Sequence, residues 1–486
     1  MPSRDIFSNL SPLDNRYWLS NPEVFTALSE RLSERAMVRL CARVEAALVA
    51  AHVGRKRDSL STLGSYDEAR LAVILAKAVD ETDPDAVAIE EEKTRHNLKA
   101  IVNVMQRNVP EALKPLVHLG ATSADILDTA RVLAVRSAVL EVILPLLARV
   151  ELELCGLARR EADTPQVGRT HGQHAVPITF GFAMAEYVNR LGASILRIGP
   201  LAGDLRGKLS GATGSYNALA MIYPDPLAFE AEFLGGLGLL PSGHSTQIVE
   251  PEPMLRLLLE LDLSFGVIAN LADDFRNLQR TEIGELHEAF GAGQVGSSTM
   301  PQKRNPWNSE HVKSLWKAFS PRVASFLLDQ ISEHQRDLTN SASERFVADW
   351  LAGLSAAANR MLSVLKGIVP DRARMLENLA MTGATLLAEP AYILLAEAGR
   401  ADAHEVVRRA TLAVGEEGLG FGAALRRDPG AWEALAARLK ILGHDNAELF
   451  FSEPWKYAGR ASEKARAVAD RFEATMRQII SGGNAE

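Results

Sequence analysis

The sequence predicts an all-α protein built around a bundle of long helices. Three segments repeat apolar residues at three- and four-residue steps, the pattern of a helix buried along a seam. Runs of β-branched residues with period two, the mark of a half-buried strand, are nearly absent.

In chain order, a shorter helical region covers roughly residues 20 to 110. The first stripe follows, with Val132, Val135, Val139, Val142, Leu146 and Val150, and with Pro145 expected to kink the helix. Residues 180 to 200 supply another long helix. The second stripe is Met254, Leu258, Leu261, Phe265, Ile268, Ala272 and Phe275; the third is Val347, Leu351, Leu354, Ala358, Met361, Leu365 and Ile368. Helices this long and this apolar, packed at shallow angles, make a bundle that also buries a subunit interface, so a homo-oligomer is expected. A last helical region follows Pro370, with Gly and Pro punctuation at 418 to 430. The expected domains are residues 1–115, 116–369 and 370–486.

Composition narrows the function class. With 47% hydrophobic and 23% charged residues the chain is an ordinary globular protein, and a net charge of −8 argues against general affinity for nucleic acid or an anionic membrane. No apolar run is expected to span a membrane, and the N-terminus lacks the apolar core of a signal peptide, so a cytoplasmic location is expected. Cys41 and Cys155 lie far apart in apolar-periodic runs and are expected to fill the core rather than pair.

Several loops carry polar residues of chemical interest. In GSSTMPQKRNP, residues 296 to 306, Gly296 flanks Ser297 and Ser298, and Lys303 follows. A serine alkoxide is tolerable as a base only among backbone N–H groups and cations, and a glycine loop beside a lysine offers both. THGQHAVPITFGF, residues 170 to 182, places His171 in a polar loop ahead of a helix, where it can move protons near neutral pH. His171 and His174 have no third ligand of matching type nearby, so no metal is expected. HLGATSADILDTA, residues 118 to 130, puts Thr122 and Ser123 at a helix start, with Asp125 in its first turn and His118 just ahead. Arg336, Ser341 and Arg345 lie close together in HQRDLTNSASER, and Arg16 precedes Tyr17 in SPLDNRYW; these suit a phosphate or a carboxylate. Taken singly, each of these stretches equally suits a solvated loop, a helix cap or a charged surface.

Together, GSSTMPQKRNP, RTHGQ and HLGATSADI resemble the aspartase/fumarase superfamily of lyases, whose signature loop reads GSSxMPxKxNP. SPLDNRY at 11 to 17, KLSGATGSYNA at 208 to 218, STQI at 245 to 248, QRDLTNS at 335 to 341 and LLAEP at 386 to 390 point to its adenylosuccinate lyase branch, over nearly the whole chain. The resemblance implies a three-domain homotetramer whose central helices form one long bundle and whose active sites combine segments from three subunits. It implies β-elimination of fumarate from a succinylated purine nucleotide, adenylosuccinate or SAICAR, with no metal or redox cofactor.

By the same resemblance Ser297 is the general base, with Ser298 a substrate contact beside it, and His171 is the general acid, oriented by Glu310. Lys303 and Asn305 hold the succinyl carboxylates, while Thr122, Ser123, Gln247, His118 and Arg336 line the substrate pocket. Arg16, Tyr17, Ser341 and Arg345 match the nucleotide phosphate site. Relatives acting on substrates without a phosphate have no use for these four, so they carry the expectation of a nucleotide.

Two positions depart from the pattern. The triplet Arg95, His96, Asn97 ends in asparagine where the family has aspartate, replacing an acceptor-only anion by a neutral group that also donates. Trp307 stands where a smaller aliphatic residue is usual. Two other outcomes therefore stay open, a paralogue acting on a different N-succinyl compound and a catalytically silent homologue.

Overall fold

A computed structural model describes residues 6–57, 61–291, 293, 296, 299–300, 302–337 and 339–482. The helices that build the bundle and position the site are α1 (Glu34–Lys56), α2 (Ser123–Ser137), α3 (Leu144–Arg160), α4 (Phe180–Gly203), α5 (Glu252–Leu278), α6 (Trp307–Phe319), α7 (Val347–Gly367) and α8 (Ala461–Gly482). Helix α3 packs on α4, α7 and α8, while α5 packs on α4, α6 and α7. The three apolar stripes lie on α2–α3, α5 and α7, where Leu146, Val150, Leu261, Phe265, Leu351 and Met361 are buried. The all-α expectation holds.

Pro145 acts differently from the expected kink. It would remove the hydrogen bond to the carbonyl four residues back and push its ring against it. The chain instead widens one turn ahead of it, as a π-helical segment at Ala138–Ile143 in which the Leu144 N–H reaches back to Val139 O. The helix therefore runs on from residue 123 to 160 without breaking.

The stretch expected as a loop around His171 is a β-hairpin, β1 (Pro165–Thr170) paired antiparallel with β2 (Gln173–Thr179). Two further two-residue pairings, Arg206–Gly207 with Leu240–Pro241 and Leu286–His287 with Val369–Pro370, fasten loops to the bundle. A second correction concerns length and hydropathy: the helical run Arg372–Glu397 contains an 18-residue window of mean hydropathy 1.5, long and apolar enough by those measures to cross a membrane. Gly383, at φ +61°, interrupts it, and Leu387, Ala391, Leu394 and Leu395 pack into a local core with residues from 403 to 451.

Cys41 and Cys155 are buried and free. Burial pushes the Cys41 thiol up to about 12 and the Cys155 thiol higher still, so neither is a nucleophile near neutrality.

Candidate active site

The first turn of α2 is organised by Asp125. Its Oδ2 accepts the Thr122 N–H at 2.8 Å, closing the start of the helix, while Oδ1 accepts from Lys208 Nζ and from the Ser210 N–H at 3.1 Å. Both charged groups of this pair are fully buried, and Lys208 also donates to Gly211 O at 3.2 Å. A buried ion pair is tolerable when further hydrogen bonds engage its members, as the Gly211 carbonyl and the Thr122, Ser210 and Gly211 N–H groups do here. The KLSGATGS loop so fixed carries Ser210, whose Oγ meets Ser245 Oγ at 2.6 Å. At Gly214, φ +81°, a Cβ would collide with Ser245 O. The loop bearing Gln247 is thereby held against the loop that anchors Thr122 and Ser123, all three half-buried.

His118 adjoins this corner in the left-handed conformation, φ +63°. Glu45, fully buried on α1, accepts its backbone N–H at 2.9 Å and lies 2.7 Å from Nδ1. A carboxylate only accepts, so the contact calls for the proton on Nδ1. Behind it His52 bonds Leu119 O and the Tyr223 hydroxyl, and burial pushes His52 down to about 4.

His171 sits at the tip of the β1–β2 hairpin. It and Gly172 have φ +55° and +74°, the paired left-handed residues of a tight two-residue hairpin turn. The His171 side chain is exposed. The hairpin is held at its base by the buried carboxylate of Glu285, which accepts from both Nη atoms of Arg169, from Gln166 Nε2 at 2.7 Å and from Asn378 Nδ2 at 2.8 Å. His174 Nδ1 lies 2.7 Å from Thr382 Oγ1, and burial, then the Arg169 charge, pushes its ring below the usual histidine range. Among the described residues no group of three or more His, Cys, Asp or Glu is placed to hold a metal.

Ser297 and Ser298 lie outside the described residues. Around them the base of the loop is closed: Asn305 Nδ2 donates to Gly296 O at 3.0 Å, and the Lys303 N–H to Met300 O at 3.0 Å. A Cβ at Gly296 would strike Lys303 O, so the loop's crossing needs glycine there. Lys303 is exposed, as is Glu310 in the first turn of α6. Glu288 caps that helix, accepting from the Ser309 N–H and Oγ at 2.8 and 2.6 Å and from Asn308 Nδ2 at 2.9 Å.

Arg16 and Tyr17 open the short helix Arg16–Ser20, with Arg16 exposed. The Tyr17 ring lies 5.7 Å from that of His311, the residue after Glu310. Arg336, at φ +79°, donates to Gln330 O at 3.3 Å, and Ser341 and Arg345 are exposed. Their stretch is fixed by Asn340 and Ser343 on Asp329, each at 2.8 Å, and by Glu344, whose carboxylate lies 2.8 Å from Arg131 of α2. Arg95, His96 and Asn97 are exposed at the junction of helices Pro84–Thr94 and Asn97–Asn108. There His96 Nδ1 accepts the Lys99 N–H at 3.3 Å, and Asn97 Oδ1 accepts that of Leu98 at 2.7 Å.

One chain thus gathers His118, Thr122, Ser123 and Gln247 at the start of α2, and Tyr17, Asn305 and Glu310 about the start of α6. Among the described residues no hydrogen bond or ion pair joins either group to His171. Sequence reasoning missed Glu45, Glu285 and Glu288; the signal is an acid in an apolar run for Glu45, and acids on either side of His287 for Glu285 and Glu288.

A family model described as lyase matches residues 15–317, and one described as adenylosuccinate lyase C-terminal matches residues 332–419. The adenylosuccinate lyase of Pyrococcus abyssi is 35% identical over 442 residues, 90% of this chain and 93% of that one. An N-acetyl-S-(2-succino)cysteine lyase of Dickeya dadantii is 29% identical over 420 residues, 85% of this chain and 86% of its own. Among solved structures, the fumarate lyase of Mesorhizobium sp. BNC1 superposes with a TM-score of 0.74 at 26% identity, over 91% of this chain and 97% of the other.

Proposed function

The chain belongs to the adenylosuccinate lyase family and is a carbon–nitrogen lyase, and from that premise we propose that it cleaves adenylosuccinate to AMP and fumarate, and SAICAR to AICAR and fumarate. The observation that carries the choice of substrate is the adenylosuccinate lyase C-terminal match over 332–419, the stretch that holds Arg336, Ser341 and Arg345.

In this proposal Ser297, as alkoxide, takes the proton from the succinyl carbon next to a carboxylate. The electron pair left behind is held as an aci-carboxylate by Lys303, Asn305 and the N–H groups of the glycine loop. It then forms the carbon–carbon double bond of fumarate as the carbon–nitrogen bond breaks. His171 gives its proton to the departing nitrogen, which would otherwise leave as an amine anion, and Glu310 orients the imidazole. Thr122, Ser123, Gln247, His118 and Ser298 hold the succinyl and base portions, and Arg16, Tyr17, Ser341 and Arg345 the phosphate.

The exposed place of His171 at a hairpin tip, with no hydrogen bond or ion pair to the other groups among the described residues, supports a site assembled from several subunits of a homotetramer, since such a tip is suited to reach into a neighbour. A second reading has its own support: Asn97, Trp307 and the likeness to a lyase of a succinylated cysteine favour a paralogue with another succinyl substrate. The deciding assay follows fumarate release from adenylosuccinate, SAICAR, argininosuccinate, N-acetyl-S-(2-succino)cysteine and simple N-succinyl amines. Turnover confined to a compound without a nucleotide would overturn the first reading in favour of the second, and turnover of none by folded protein would indicate a silent homologue.

A further inference from the structure

Beside the start of α6, near Tyr17, lies a guanidinium that forms no ion pair among the described residues. Arg360, on α7, is half-buried, and its guanidinium lies over the Trp307 ring, 5.0 Å from its centroid. Its hydrogen bond among the described residues is from Nη1 to the neutral Asn308 Oδ1 at 2.8 Å, and it forms no ion pair there. Glu288, whose charge it feels, is already engaged by Asn308 and Ser309. Burial holds the guanidinium below its usual range.

Beside it, His311 Nε2 is buried with no hydrogen-bond partner, and its ring packs on Tyr17. A guanidinium has five donors, and withdrawing one from water without a counter-charge is costly unless a ligand supplies it. Two groups at one place, a guanidinium with no ion pair among the described residues and a ring nitrogen with no hydrogen-bond partner, are thus left open to a ligand. The place is the junction of the signature loop, which ends at Pro306, with the Arg16–Tyr17 segment. The neighbouring Asn359 Nδ2 donates to Asn21 Oδ1 at 2.9 Å, so α7 also fixes where that segment lies.

We propose that Arg360, shelved on Trp307 and flanked by His311 and Tyr17, is an anion-binding residue of the active site, taking an oxyanion group of the succinylated nucleotide. Trp307, a departure from the family pattern, has a purpose in this proposal: its ring is broad enough to hold the guanidinium flat. The group bound is a phosphate or a carboxylate, which share this chemistry, and the site rests on the lyase reading above.

Calorimetry on the intact protein tests it without turnover, with AMP, adenosine and fumarate as probes, for wild type, Arg360→Met, Arg360→Lys and Trp307→Leu. Loss of a charge-assisted contact predicts AMP binding weakened about ten- to a hundredfold in Arg360→Met, with adenosine unchanged, when the group is the phosphate. A fumarate affinity weakened instead identifies the carboxylate. Arg360→Lys should recover part of the loss, since it keeps the charge and loses the planar fork. Should Arg360→Met fail to fold, Trp307→Leu, which keeps the cation and removes its shelf, should weaken the same probe. AMP and fumarate affinities unchanged in folded Arg360→Met or, in its absence, in Trp307→Leu would overturn the proposal. Wild-type protein that binds AMP but leaves adenylosuccinate intact would overturn the substrate reading alone.

Discussion

Glu45 grips His118 twice, accepting its backbone N–H at 2.9 Å and its Nδ1–H at 2.7 Å from a fully buried position on α1. The carboxylate therefore fixes the ring's tautomer as well as the left-handed turn that presents it. Glu45→Gln puts an NH2 group where one of two donors points. We expect a loss of about 1.5–3 kcal/mol in urea unfolding, the range for hydrogen bonds to a charged group, together with a raised KM for the succinyl substrate. Unchanged stability and KM would show that the double contact is idle.

Lys208→Met strips the counter-charge from buried Asp125 and should cost about 3–5 kcal/mol, as when one partner of a buried pair is removed. Adding Asp125→Asn removes the stranded charge. The double variant should unfold at higher denaturant than Lys208→Met alone.

Ser297→Ala and His171→Ala should each lower turnover by at least about a hundredfold, the scale of a lost general base or acid. Mixing the two inactive proteins, after dissociation and reassembly, should restore activity if the base and acid of one site come from different chains. A mixture as inactive as its parents would place both in one chain.

Glu151 is buried on α3, its Oε2 has no partner, and burial pushes its carboxyl well above the ordinary 4.5. In the unfolded chain it ionises near 4.5 while in the folded chain it stays protonated, so its protonated form supports folding below that pH and the contribution falls as pH rises toward the raised value. Glu151→Gln does not titrate. Its melting temperature should match wild type at about pH 4 and exceed it increasingly toward about pH 7, by linkage.

The bundle was legible because its helices are amphipathic in a simple way: a stripe such as Leu351, Leu354, Ala358, Met361 has one burial solution. The hairpin was not. Its strands carry Arg169, Gln173 and His174, whose partners Glu285 and Thr382 lie far along the chain, so no local alternation marks them. The π turn was equally hidden, since Pro145 announces a disturbance but not which carbonyl gives way. The candidate site was legible through motif resemblance rather than spacing. The acids Glu45, Asp125, Glu285 and Glu288 show the limit: each holds groups brought to it by the tertiary fold, and only Asp125 stood in a stretch read for chemistry.

The widened turn at Ala138–Ile143 has a geometric consequence for the whole molecule. An α-helix advances about 100° per residue, so one extra residue held in a turn offsets the two halves of the 123–160 helix in angular phase by about that much. The lower part of the bundle-facing stripe, Leu146 and Val150, and the proposed substrate contacts Thr122 and Ser123 at the upper end are thus set in different angular phase along one rod. Deleting a single residue there would leave a regular helix and swing one functional face away from its target while every local contact of the other half stayed intact.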